Sequence, residues 1–212
     1  SNPFRVNRIR ITLLMLLAFG LMSINVNAQL YTRTTFNSAY VPLTVGTGAT
    51  VSTATGDEGN QAGIPLGFTY DYAGVNYTSF GLNTNGLLWF DAVTPTGYDA
   101  STNDRLHRTI GSNQNIAVWW NNMSDDASSD ILYQLQGSPG SQTFTVQYTN
   151  YPFYVNNPAI RLNCQVIFYE STNVIELKYG SLTVTGAQGI NLGATIGIEY
   201  GAGGPNNYID AI

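Results

Sequence analysis

The chain has 212 residues, with 8 Lys and Arg against 13 Asp and Glu, and a net charge of −5. This acidic balance, with Lys178 as the sole lysine, excludes nucleic acid and anionic membranes as partners, because neither phosphate array would be neutralised. The lone Cys164 excludes an internal disulfide framework, and with His107 as the only imidazole a Cys/His nucleophile has little to draw on.

The first 28 residues read as a cleaved secretory leader. Arg5, Arg8 and Arg10 precede the apolar run ITLLMLLAFGLM at 11–22, and Val26 and Ala28 place small residues before Gln29. The run is shorter than the roughly 20 residues that span a bilayer. No membrane insertion is expected after cleavage. Losing three arginines leaves 5 basic against 13 acidic residues, a net of −8. Residues 29–212 then make one domain, a length that buries about 70% of its unfolded surface. The chain opens without methionine and stops at YIDAI, which reads as a piece of something longer.

From there the pattern has period two, the mark of half-buried antiparallel strands. Strands are predicted at 40–45, 64–72, 75–84, 87–91, 115–120, 131–136, 142–150, 160–170, 174–179 and 194–200. In TFTVQYTN, Phe144, Val146 and Tyr148 share one face; in IRLNCQVIF, Ile160, Leu162, Cys164, Val166 and Phe168 do. Residues 46–63, rich in Gly, Thr and Ala, read as a long loop or edge segment, and 100–110 holds at most one helical turn. Turn residues at 72–74, 84–86, 137–141 and 170–173 punctuate the pattern. About ten short strands at this spacing predict an all-β antiparallel sandwich, jelly-roll-like. Within FGLNTNGLLWFD at 80–91, Asn85-Gly86 is expected to form a two-residue type I′ hairpin turn.

Counting strand reversals puts the 84–86 turn at one end of the sandwich, together with the loops at 121–130, 150–159 and 180–193. Three groups of candidates follow. Asp125, Asp126 and Asp130 supply the oxygens a calcium ion takes, although the loop is not an EF-hand, and a solvated acidic loop is the plainer reading. No other cofactor is expected. Tyr151, Phe153 and Tyr154 could stack on a sugar, or could cap the open end of the core. Asn83 and Asn85 are the turn residues placed beside them. Trp119 and Trp120 must point to opposite faces of one strand. At the opposite end, Asp99, Asp104, Arg105, His107 and Arg108 mix both charges in a long loop, where a lone His is ordinarily solvated. The Gly-rich 197–204 lacks the Lys-Ser/Thr and helix of a phosphate loop. No ordered catalytic set stands out.

The order IPLGFTYDYAGVNYTSFGLNTNGLLWF, NQNIAVWWNNMSDD, ILYQLQGSPGSQTFTVQYTNY, NCQVIFYESTNVIELKYG and ATIGIEY resembles a β-sandwich module of secreted Bacteroidetes proteins. Through TNGLLWF and IAVWW it is distantly similar to the nidogen-type extracellular domain. The resemblance implies a secreted or cell-surface module, often part of a larger protein exported by the type nine route, with no catalytic residues to carry over. Trp120-Asn121-Asn122 stands where that family has Trp-Asp-Asp, which shifts any role of the acids to Asp125 and Asp126. The functional expectation is a non-catalytic binding or adhesion module for an extracellular glycan or protein surface. The alternatives are a carbohydrate-binding module or an accessory domain of a secreted hydrolase.

Overall fold

In the computed structural model, the described residues are 30–90, 92, 94, 106, 113–153, 157–185, 193–201, 203 and 207–211, with backbone only at 157–159. The leader expected at 1–28 and the mixed-charge loop of Arg105, His107 and Arg108 lie outside them. The described chain is all-β. Its strands are β1 (Thr50–Val51), β2 (Asn60–Tyr72), β3 (Val75–Asn83), β4 (Leu87–Trp89), β5 (Asn115–Trp120), β6 (Asp130–Gln136), β7 (Thr143–Phe153), β8 (Asn157–Tyr169), β9 (Ile175–Val184), β10 (Thr195–Glu199) and β11 (Tyr208–Asp210). They form two antiparallel sheets, ordered β1-β6-β7-β8-β9 and β11-β10-β5-β4-β3-β2. Residues Tyr31–Ile212 form one compact unit.

The period-two pattern builds the sandwich as expected. Ile64, Leu66, Phe68, Tyr70 and Tyr72 alternate into the core from β2, and Phe144, Val146 and Tyr148 meet them from β7. Aromatic rings fill the middle. Phe90 lies against Tyr72 (centroids 4.8 Å apart), Tyr77 (5.0 Å) and Phe168 (5.6 Å), and Phe80 meets Phe144 edge-on at 5.4 Å. Trp119 packs against this core. Trp120 points to the other face of β5, into a second cluster with Leu87, Leu106 and Ala117.

Four local expectations are corrected. The type I′ turn is at Ala73-Gly74, where both φ values are positive (56° and 82°). At 84–86 only Gly86 is left-handed (φ 79°), and the pairs Gly81↔Trp89 and Leu82↔Leu88 leave a three-residue connection. A type I turn closed by glycine suits that length. A side chain at Gly86 would also place its Cβ 2.5 Å from the Trp119 carbonyl oxygen.

Second, β7 does not end at residue 150. Tyr148 pairs with Cys164 and Tyr151 with Leu162, so β7 carries one extra residue there. Asn150 takes it up at φ 48°. The bulge resets the alternation, so Tyr148 and Tyr151 both face the core with rings 5.3 Å apart. Third, 40–45 is not a strand, because it crosses the other strands. Fourth, β9 runs on to Val184 instead of ending at 179, while 46–63 holds β1 and the start of β2, both edge strands, which is the edge-segment alternative.

Candidate functional site

The 84–86 turn meets the start of the 121–130 loop, as the strand count expected; residues 154–156 and 186–192 of the other two loops lie outside the described residues. The Met123 N–H donates to Asn85 Oδ1 (2.7 Å), and the Asn121 N–H to the Asn85 carbonyl (3.2 Å). Met123 bridges to Phe153, which ties the 84–86 turn to the end of β7. The segment 56–59 closes over the turn: Gly59 N–H donates to Thr84 Oγ1 (3.1 Å), Thr84 Oγ1 to the Asp57 carbonyl (2.8 Å), and Asn85 Nδ2 to Glu58 Oε2 (3.3 Å). Burial raises the Glu58 carboxyl above its usual range, with Asp57 repulsion adding and the Asn85 bond opposing.

This gathering buries the candidates instead of presenting them. Asn83, Asn85 and Tyr151 are fully buried and Phe153 nearly so. Asn83 Oδ1 accepts the N–H groups of Asn85 (3.1 Å) and Leu87 (3.0 Å), a turn-bracing role. Tyr151 and Phe153 fill the end of the core, so neither offers a ring face to a sugar. Tyr154 lies outside the described residues.

The carboxylates do not converge either. Asp125 Oδ1 accepts the Gly56 N–H (2.5 Å), and Asp130 opens β6 in solvent. Asp126 is held by Arg161, whose Nη1 donates to Oδ1 at 3.1 Å and whose Nη2 bonds Oδ2; Ser128 N–H and Oγ also donate to Oδ1. The Arg161 bonds hold the Asp126 carboxyl well below its ordinary 3.8, against an opposing effect of burial and with help from Ser128. Among the described residues no three His, Cys, Asp or Glu side chains come close enough to hold a metal ion. Cys164 is fully buried and burial pushes its thiol up, the opposite of what a nucleophile needs.

A different surface has the shape of a site. Residues 38–48 form a strap across the outer face of β6–β9. Running over the strands, it cannot pair with them, and glutamine side chains bond its main chain instead. Gln147 grips Leu43 twice, accepting its N–H at Oε1 (2.7 Å) and donating Nε2 to its carbonyl (3.1 Å). Gln165 Nε2 donates to the Val41 carbonyl (2.8 Å), and Gln134 Nε2 to that of Thr47 (2.9 Å). Ser38 Oγ reaches Glu176 Oε1 (3.2 Å). A Cβ at Gly180 would sit 3.1 Å from the Tyr40 ring, so the glycine makes room for the strap.

Beside the strap lies a groove of about 310 Å³, walled by Val41, Pro42 and Leu43. Strand register orders its floor into rows: Gln136–Thr143–Tyr169, then Gln134–Thr145–Ile167. Lys178 at its margin pairs with Glu176 (Nζ–Oε1 3.4 Å). Tyr169 donates its hydroxyl to Glu176 Oε2 (2.6 Å), and burial first, then that bond, pushes the phenol from 10.0 up to about 12. These residues were missed as candidates. Their signal was present: the solvent side of these strands carries mainly Gln and Thr where Lys and Glu are usual on an exposed face.

Fold and surface together define an antiparallel β-sandwich with a polar groove on one outer face. The chain belongs to the nidogen-related family: a family model described as NIDO related matches residues 30–211. No curated protein matches the chain, and no solved structure does. Kinship with nidogen-type domains points to an extracellular domain, and no described helix is long and apolar enough to cross a membrane.

Proposed function

We propose that this chain is a secreted binding or adhesion module that recognises an extracellular glycan or protein surface and performs no chemistry on it. The observation that carries the reading is the groove, a concave polar surface at the small end of the usual ligand-site range, on a face that a sandwich does not need for its core. The leader pattern at 1–28, the resemblance to exported modules and the nidogen-related membership support an extracellular setting. The test is direct. The labelled chain is applied to immobilised polysaccharides and extracellular glycoproteins. Saturable binding to either supports the proposal; linear, non-saturating retention on every surface refutes it.

A further inference from the structure

We propose that the groove beside the strap is a saccharide site, and that its ligand is a neutral oligosaccharide lying across β6–β8, parallel to residues 41–47. The proposal rests on the binding-module reading and gives it a ligand class and an address.

Charge is the first argument. Among the described residues Lys178 is the one charged residue lining the groove, and its ammonium is paired with Glu176. The Glu176 carboxylate also takes the Tyr169 and Ser38 hydroxyls. Among the described lining residues no uncompensated cation is left for a phosphate, sulfate or uronate, and no spare carboxylate for an amine.

Hydrogen-bond capacity is the second. An amide and a hydroxyl each donate and accept, as a sugar hydroxyl does, so vicinal diols match such a lining. The lining amides and hydroxyls divide into two sets. Gln134 and Gln165 are spent on the strap, as is Gln147 behind it. Gln136, Thr143 and Thr145 have no side-chain hydrogen bond to a described residue, and they stand together in two adjacent rows. The unspent capacity is on the groove side.

Shape is the third. Ile167 gives an apolar patch and Tyr169 an aromatic wall, whose position is set by the bond to Glu176. A pyranose has the complementary pair of surfaces, a C–H face and a hydroxyl rim. An extended peptide fits less well. Its main chain would need a free strand edge or main-chain readers, and the glutamines that read main chain here are already bonded to the strap.

The experiment titrates the full chain, expressed for export, with neutral hexasaccharides of gluco-, manno-, xylo- and galacto-configuration. At least one series is expected to bind saturably. Thr145→Val and Gln136→Ala should each weaken it about three- to tenfold, the loss of one neutral hydrogen bond. Tyr169→Ala should weaken it further, and Val75→Ala, on the distant β2–β3 turn, should leave it unchanged. If Thr145→Val fails to fold, Gln136→Ala on the exposed rim and amide chemical shifts on titration decide: shifts centred on β6–β8 support the site, and shifts centred elsewhere overturn it. Binding that ignores both Thr145→Val and Gln136→Ala overturns it too. If no hexasaccharide binds while a deglycosylated extracellular protein or an extended peptide does, the saccharide site falls and the module reading stands. If nothing binds, both fall.

Discussion

Asn85 illustrates how far a residue's role shifts once its surroundings are known. Replacing it by alanine leaves its backbone bonds to Asn83 and Asn121 in place and removes two side-chain bonds. Oδ1 no longer accepts the N–H of Met123, a residue with no exposure, and an orphaned buried donor costs about 1–3 kcal/mol. The 3.3 Å bond to Glu58 is part-buried and long, worth roughly 0.5 kcal/mol. The void left by the carboxamide adds about 1 kcal/mol. The expected loss is about 2.5–4.5 kcal/mol, or about 5–18 °C in Tm for a domain of this size. Urea unfolding and a thermal scan measure it, and hydrogen exchange at the Met123 amide should lose its protection. A loss under about 1 kcal/mol, or an unchanged Met123 amide, refutes the reasoning. Asn85→Asp separates acceptor from charge. It keeps an oxygen for Met123 but faces Glu58, whose folded pKa is already raised. A raised carboxyl holds extra protons in the native state, so stability falls as pH rises through the interval above its unfolded value. Asn85→Asp should therefore match wild type near about pH 4 and fall behind toward about pH 7.

Further outcomes follow from other contacts. Gly86→Ala should cost about 2–4 kcal/mol in urea unfolding, since it combines a left-handed φ with a Cβ driven against the Trp119 carbonyl; a loss below about 1 kcal/mol counts against that geometry. Asp126→Asn should lower stability at neutral pH by at most about 1 kcal/mol, because the pair with Arg161 is partly exposed. Its native pKa is depressed, so the stabilisation is full above the ordinary 3.8 and is lost as pH falls through the folded value. The gap between wild type and variant should close in acid, and a gap independent of pH would contradict the ion pair. Gln147→Leu should free the strap without unfolding the sandwich: proteolysis within 41–47 and exchange at the Leu43 amide should quicken while the urea midpoint moves little.

Much of the fold was legible because burial follows a two-residue period, and an apolar side chain on one face of a strand leaves a direct mark in the sequence. β2 and the core face of β8 were readable for that reason. Where the period slips it misleads. The extra residue at Asn150 made a continuing strand look like the start of a loop, and it left open whether Tyr151 and Phe153 cap the core or face a sugar; the structure buries both in the core. The strap failed differently. Its Tyr, Val and Leu at 40, 41 and 43 suit a strand, but direction across a sheet is not a local property. Counting strand reversals did bring the 84–86 turn to residues 121–130, since that count uses connectivity alone.

The sequence alone therefore determined the all-β class, most core faces and the meeting of the 84–86 turn with the 121–130 loop, because each depends on alternation and chain order. Tertiary structure decided which polar residues are spent and which are spare. Asn85 is buried with its side chain satisfied because 56–59 and 121–123, distant in sequence, fold over it and take up its hydrogen bonds. The strap crosses the same face and occupies Gln134, Gln147 and Gln165, while Gln136, Thr143 and Thr145 beside it have no side-chain hydrogen bond to a described residue. Hydrogen-bond satisfaction is settled by partners far along the chain, and no local pattern of residues records it.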